Sequence, residues 1–397
     1  MEVKPGYKQT EIGVIPDDWE IKTLGDLSRM LTGRTPPTND KSNYGHDFLF
    51  VGPGDLGQAK YIEQSEKMLS CKGFSKAVQI PTDSIMITCI GSTIGKVGVA
   101  AKPLATNQQI NSIVPSTSYD SDFLYYILLL NVPLIRSMAS EQAVPIINKT
   151  NISSFKIPCP PLPEQKRICE PINDIDSLIT SLEKLIEKKK LIMQGVMQEL
   201  LTGKRRLPGF TGEWETKRLG DVSVVIMGQS PDSKYYNTDS KGIPLIQGNA
   251  DIQNGKSVSR IWTKSITKEC QKGAILITVR APVGSVGISS SRACLGRGVC
   301  AVQPYSVNER YLYWQLKFSE DKWNESQQGS TFTSVNSNQI KDFCILCPTS
   351  FDEQAAIADV IEDIEIEIDL HIKQLNKQIL LKQAMMQELL TGRIRLI

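Results

Sequence analysis

Histidine is almost missing: His46 and His371 are the only two in 397 residues. Imidazole is the commonest general acid or base near neutral pH and a frequent metal ligand, so chemistry of either kind is poorly supplied. The nine cysteines, scattered from Cys71 to Cys347, are odd in number, which argues against a disulfide framework and for a reducing compartment. Cys344 and Cys347 form a CxxC, but no second pair stands at zinc-ligand spacing, so they read as small residues near the end of a buried strand. No run approaches the ~18 apolar residues of a membrane span. The opening MEVKPGYKQTEIGVIPDDWE has no apolar stretch to serve as a signal peptide, and the expected location is cytoplasmic. Also absent are the glycine-rich cofactor loop and the Asn/Asp-Pro-Pro-aromatic motif with which an adenine methyltransferase holds a flipped base. GSTIGKV, from Gly91 to Val97, approaches a phosphate-binding loop. It has one residue too few between its glycines and Val97 where Ser or Thr would bind magnesium.

What is present is said twice. MQELLTGKRRL begins at Met197 and MQELLTGRIRL at Met386, and each closes a segment that starts at a Glu-Gln pair, Glu164-Gln165 and Glu353-Gln354. Both landmarks are offset by 189 residues, so the repeat covers a whole helix and sets the number of units in the chain. Ahead of each helix, Trp19 in DDWEIKTLGDL answers Trp214 in GEWETKRLGDV, and Gly33-Arg34-Thr35-Pro36 answers Gly228-Gln229-Ser230-Pro231. IMITCIGSTIGKVGVA from Ile85 parallels ILITVRAPVGSVGIS from Ile275, and each arm ends in a polar stretch with an asparagine, near Asn148 and Asn336. At 40% hydrophobic and 22% charged the composition is ordinary for a globular chain of this length, which has room for two or three domains.

Short β-branched runs bounded by Gly, Pro, Asn or Ser predict strands at Ile85 to Thr88, Lys96 to Ala100, Ile275 to Thr278 and Val299 to Val302. Helical spacing predicts helices at Ser121 to Leu130 and Asn308 to Phe318. The connecting segments advance by alternating threes and fours, a coiled-coil seam. It runs through Ile168, Ile172, Ile175, Ile179, Leu182, Ile186, Met193, Val196 and Leu200, then Ile357, Ile361, Ile364, Ile368, Leu375, Met385 and Leu389. Lys189, His371, Gln378 and Lys382 interrupt it. Pro171 implies that the first helix either kinks there or starts a turn later than its twin. The expected fold class is α+β: two mainly β domains separated by two long antiparallel coiled-coil helices, a pseudo-two-fold internal repeat. The expected boundaries are 1–163, helix 164–203, 204–349 and helix 350–397.

The order, duplication and spacing of these anchors, with PLPEQKRI from Pro161 to Ile168, resemble the specificity subunit of type I restriction-modification systems over essentially the whole chain. Two departures concern local helix geometry: PTSFDEQ (Pro348 to Gln354) introduces the second helix, and Pro171 stands where a helix former is expected. The resemblance implies a phage-defence role and no catalysis by this chain. Each arm would be a target recognition domain reading one half of a bipartite, asymmetric site in double-stranded DNA. The helices would set the spacer and dock two modification (methyltransferase) subunits that carry S-adenosylmethionine. Restriction subunits would add ATP- and Mg-dependent translocation and cleavage. No cofactor or metal is expected on this chain.

Charge supports DNA binding unevenly, since residues 203–349 carry nineteen Lys and Arg against twelve Asp and Glu, whereas 1–163 balance. Candidate base or phosphate contacts are Arg34, Lys41, Asn43, Lys60, Lys72 and Lys76 in the first arm. In the second they are Lys234, Tyr235, Tyr236, Asn249, Lys256, Arg260, Lys264, Arg292 and Arg297. Arg280, after an apolar strand, is equally a candidate for a buried ion pair. A coiled-coil adaptor that binds proteins without reading DNA is the alternative, and it leaves the two matched β-rich arms unexplained. A self-contained methyltransferase or nuclease is disfavoured by the missing motifs.

Overall fold

The structure, a computed structural model, describes residues 4–325 and 334–396. It divides into two compact units, Met1–Glu183 with Gln374–Ile397, and Lys184–Lys373. In unit 1 the strand Ile85–Thr88 lies inside a five-stranded sheet, antiparallel to Ile110–Ile113 on one side and Val97–Ala100 on the other. All four of its residues are buried. A central strand covered on both faces has no polar alternation, which is why it reads as an unbroken apolar run. A second sheet carries Tyr44–Val51 parallel to Leu104–Thr106.

Unit 2 repeats the plan. Ile275–Thr278 lies between Val286–Ile288 and Val299–Pro304 in a six-stranded sheet, and Ile243–Ile246 runs parallel to Ala293–Leu295 in a five-stranded one.

Four helices position the arms: α1 (Ser121–Leu130), α2 (Leu162–Leu200), α3 (Glu309–Phe318) and α4 (Phe351–Leu389). Asp120 and Asn308 cap α1 and α3 with their side-chain oxygens, each accepting two backbone N–H groups of the first turn. The long helices α2 and α4 contain 39 residues each, about 58 Å at 1.5 Å per residue. The first begins at Leu162 and continues through Pro171, which rules out the later start. Pro171 has no N–H for the Arg167 carbonyl, so one rung of the ladder is missing. Gly203 and Gly392, just past the helices, have φ of +68° and +73°, the left-handed conformation that glycine adopts without cost.

All sixteen apolar seam positions are buried or half-buried. Within unit 1, Glu164 and Asp176 of α2 pair with Arg395 and Lys382. Within unit 2, Lys189 of α2 pairs with Glu367, and Arg206 with Glu353. Inside each unit the two helical segments therefore run antiparallel, and their ends complete the cores. Ile168, Ile172, Met386, Leu389 and Leu390 join Trp19, Ile87 and Phe123 in unit 1. Met197, Leu200, Ile357 and Ile361 join Ile277, Tyr311 and Trp314 in unit 2. Such burial is the main source of stability for an arm with short strands, at roughly 1.5–3 kcal/mol per large apolar side chain.

The CxxC lies on the strand Cys344–Pro348, Cys347 buried and Cys344 exposed, and all nine cysteines are free. Arg280 is exposed, with no ion pair among the described residues, so the buried-pair reading does not hold. Among the described residues no cluster of His, Cys, Asp and Glu could hold a metal ion, and no helix is long and apolar enough to cross a membrane.

Candidate nucleic-acid interface

The repeated motifs build the frame on which the surface rests. In unit 1 the Trp19 indole N–H donates to the Glu164 carboxylate at 3.1 Å, and Arg395 forks onto the same carboxylate at 2.6 and 2.8 Å. In unit 2, Trp214 donates to Glu353 at 3.3 Å, and Arg206 forks onto it at 2.9 and 2.6 Å. Both carboxylates are almost fully buried, at 4% and 0% exposure, so each needs its charge-assisted donors. The adjacent glutamines act as stitches. Gln165 donates to the Pro160 carbonyl and accepts from the Asp120 N–H, and Gln354 does the same with Pro348 and Asn308. The Trp, Glu-Gln and post-TG arginine of the sequence thus lock the arm, its short helix and the long helices of each unit together.

A second brace holds α1 against α2. Lys60 pairs with Asp122 at 2.7 Å, donates to Asn173 at 2.7 Å and lies 4.6 Å over the Tyr126 ring. The Tyr126 hydroxyl donates to Asp176 at 2.7 Å, and Asp176 also binds Lys382. Burial, then Asp176 and Asp122, push the Tyr126 phenol far above its ordinary range. These groups line a groove of about 920 Å³ in unit 1. Lys60 is only 13% exposed and fully engaged, so it leaves the set of candidate contacts.

Asn43 leaves it too. Fully buried, it donates to the Pro37 carbonyl at 2.9 Å and accepts from Lys76 at 3.0 Å. Lys72 and Lys76 both pair with Asp40, whose carboxyl is held well below the usual range, chiefly by hydrogen bonds from Ser42 and Lys72. Lys41 is exposed beside them. In unit 2, Lys234 pairs with Asp232 and lies over Tyr235, Arg260 pairs with Asp251, and Arg292 pairs with Glu269. Tyr236 donates its hydroxyl to the Pro231 carbonyl at 3.1 Å. Asn249, Lys256 and Lys264 are exposed.

Arg34 and Arg297 stand apart because the fold brings their loops onto a rim that each unit repeats. In unit 1 the Gly33 N–H bonds to the Ile110 carbonyl, and a Cβ at Gly33 would collide with the carbonyls of Thr106 and Asn107. In unit 2 the Gly228 N–H bonds to Val299, and a Cβ there would strike the Gly296 and Val299 carbonyls. The matching position of these glycines in the two arms thus reflects a close approach, which seats the first turn on a second one. A third loop joins, since the Asn107 N–H bonds to Val51 and the Gly296 N–H to Ile246. Asp55 and Asp251 hold that loop by accepting the N–H groups of Gly52 and Gln247 at 2.8 and 2.7 Å. Arg34, Gln108, Gln229 and Arg297 are all exposed on these rims. Gln108 and Gln229 were not among the sequence candidates. Their signal was position, one beside each turn glycine or its seat, and not charge.

Two matching arms, each with a polar rim carried on braced loops, make a protein with two equivalent surface sites. The family model for the type I restriction modification DNA specificity domain matches residues 16–191 and again 211–381, and the chain belongs to that family. It is 29% identical over 418 aligned residues to the MjaX type I restriction enzyme specificity subunit of Methanocaldococcus jannaschii, covering 98% of this chain and 96% of that one. It is 23% identical over 332 residues to the EcoBI specificity subunit of Escherichia coli, covering 74% and 69%. In fold it is similar to the S subunit of a type I restriction-modification system from M. genitalium, with a TM-score of 0.64 at 15% identity over 98% of both chains. A chain solved in work on assembly and conformational transition of the type I R-M system gives 0.63 at 23% identity, over 96% of this chain and 99% of that one. DNA sequence specificity is the role of this family.

Proposed function

We propose that this chain is the non-catalytic DNA-reading subunit of a cytoplasmic type I restriction-modification complex, each unit taking one half of a split, asymmetric site. The paired helices α2 and α4 dock two modification subunits, which supply S-adenosylmethionine and methylate adenine. Restriction subunits join through them and add ATP- and Mg-dependent translocation and cleavage. One observation carries the asymmetry: the two rims have the same backbone register but different side chains. Equal readers would select equal half-sites, and unequal readers select unequal ones. Exposed apolar residues on the helices, including Leu191 and Leu380 at 59% and 66% exposure, support docking.

Co-expression with its modification subunit in cells lacking adenine methylation, followed by genome-wide methylation sequencing, tests this reading. A bipartite motif with two unlike halves is expected. Methylation without sequence preference, or an unsplit motif, would sink it.

A further inference from the structure

Register fixes which rim residues correspond. Ile110 pairs with Thr88, and Val299 with Thr278, at the ends of the matching central strands. Thr106 pairs with Val51, and Leu295 with Ile246, in the matching parallel pairs. Gln108 and Arg297 therefore occupy the same place on the second turn. On the first turn Arg34 and Gln229 each follow the seated glycine and share a place as well. Each rim thus holds one arginine and one glutamine, in exchanged positions.

The seats are built. In unit 1 the Thr35 hydroxyl donates to Gln108 Oε1 at 2.8 Å, and in unit 2 the Ser230 hydroxyl accepts the Arg297 N–H at 3.0 Å. The side chains of Arg34, Gln229 and Arg297 have no hydrogen bond or ion pair among the described residues, and the Gln108 amide NH2 is likewise free. Guanidinium and carboxamide are the two groups that make paired contacts to purines in the major groove, arginine to guanine O6 and N7, glutamine to adenine N6 and N7. Gln108 Oε1 keeps a second lone pair for the adenine amino group while it accepts from Thr35.

We propose that Arg34 and Arg297 each read a guanine, and Gln108 and Gln229 each an adenine, so the half-sites use the same two purines read by opposite turns. The assignment rests on the DNA-reading function proposed above. It adds which residues decide the sequence, and it separates these four from Lys41, Lys234 and Lys264, whose exposed ammonium groups suit phosphates.

The test is selection from random duplexes by the full chain in complex with the modification subunit that co-purifies with it from its source cells. Arg297→Gln should change guanine to adenine at one position of one half-site and leave the other half unchanged. Gln108→Arg should do the converse in the other half. Arg297→Ala should lose roughly ten- to a hundredfold preference at that position. Arg297→Lys keeps the charge but not the fork, and should retain overall affinity while losing most of that preference. All four side chains are exposed, so folding is not at stake, and matching melting curves confirm it. If Arg297→Ala weakened every duplex equally with the selected motif intact, Arg297 would be a phosphate contact and the assignment would fall, with the DNA-reading function standing. If the unaltered complex selected no motif, both would fall.

Discussion

The two units brace the arm helix against the long helix at the same place with the charges reversed. In unit 1 the arm helix offers the acid, Asp122, and Lys60 bridges it to Asn173. In unit 2 the residue at that position is Arg310, which grips Glu362 at 2.8 and 2.9 Å and Asp359 at 2.6 Å on α4. Gly255 stands where unit 1 has Lys60. Glu365 matches Asp176, but Met193 replaces the lysine that Asp176 binds. The Glu365 carboxyl is accordingly raised above its ordinary value, by burial first and by Asp369 and Glu362 next. A duplicated scaffold thus keeps the location of a polar brace while its sign is free to invert, provided each buried charge finds a partner. Glu365 marks where that provision is met least well.

The clamps should show the largest effects. Arg206→Ala leaves the Glu353 carboxylate buried with only Trp214 as donor, and thermal unfolding should register a loss of about 3–5 kcal/mol. Arg395→Ala should match it in unit 1. A loss below about 1 kcal/mol for either would show that the two clamps are not equivalent. The braces come next. Lys60→Ala removes a nearly buried donor and should cost about 2 kcal/mol in denaturant unfolding. Arg310→Ala, at 43% exposure, should cost under about 1 kcal/mol. Equal losses would remove the contrast between a buried and a solvent-screened brace.

The smallest effect carries a sign. Because Glu365 titrates above its unfolded value of 4.5, it binds more protons in the folded state, and the protein loses stability as pH rises from 4.5 through the folded pKa. Met193→Lys, which rebuilds the partner that Asp176 has, should gain under about 1 kcal/mol at pH 7. The gain should vanish below pH 4.5. Melting curves at pH 4 and 7 would decide it, and a gain equal at both would assign the effect to packing.

The strands Ile85–Thr88 and Ile275–Thr278 and the helix Ser121–Leu130 stand where the sequence placed them. Local period suffices for an element whose face is settled by its own residues. The seam was legible for the same reason. Side-chain pairing was not: a lysine reads alike whether solvated, as Lys264, or enclosed, as Lys60, because its partners Asp122 and Asn173 lie 62 and 113 positions away. Asn43 resembled a base reader because loop composition does not tell a buried amide from an exposed one. The turns at Gly33 and Gly228 were visible, with Arg34 and Arg297 among the candidates, but Gln108 was not, because it meets the turn at Gly33 only through strand pairing. The Trp, Glu-Gln and arginine motifs were visible as repetition, but their meeting on one carboxylate required the fold.

The unit boundaries set an order of assembly. Unit 2 is one continuous stretch, Lys184–Lys373, whereas unit 1 joins Met1–Glu183 to Gln374–Ile397. On a ribosome, every residue of unit 2 has been made before Met386, Leu389, Leu390 and Arg395 exist to cover Trp19, Ile168 and Glu164. The arm that emerges first must therefore wait, its apolar stripe open, while the later arm closes around Arg206 and Glu353. Unit 1 is last to be finished although it is first to be begun, and a chain halted before residue 374 would carry a complete second reader beside an unsealed first one.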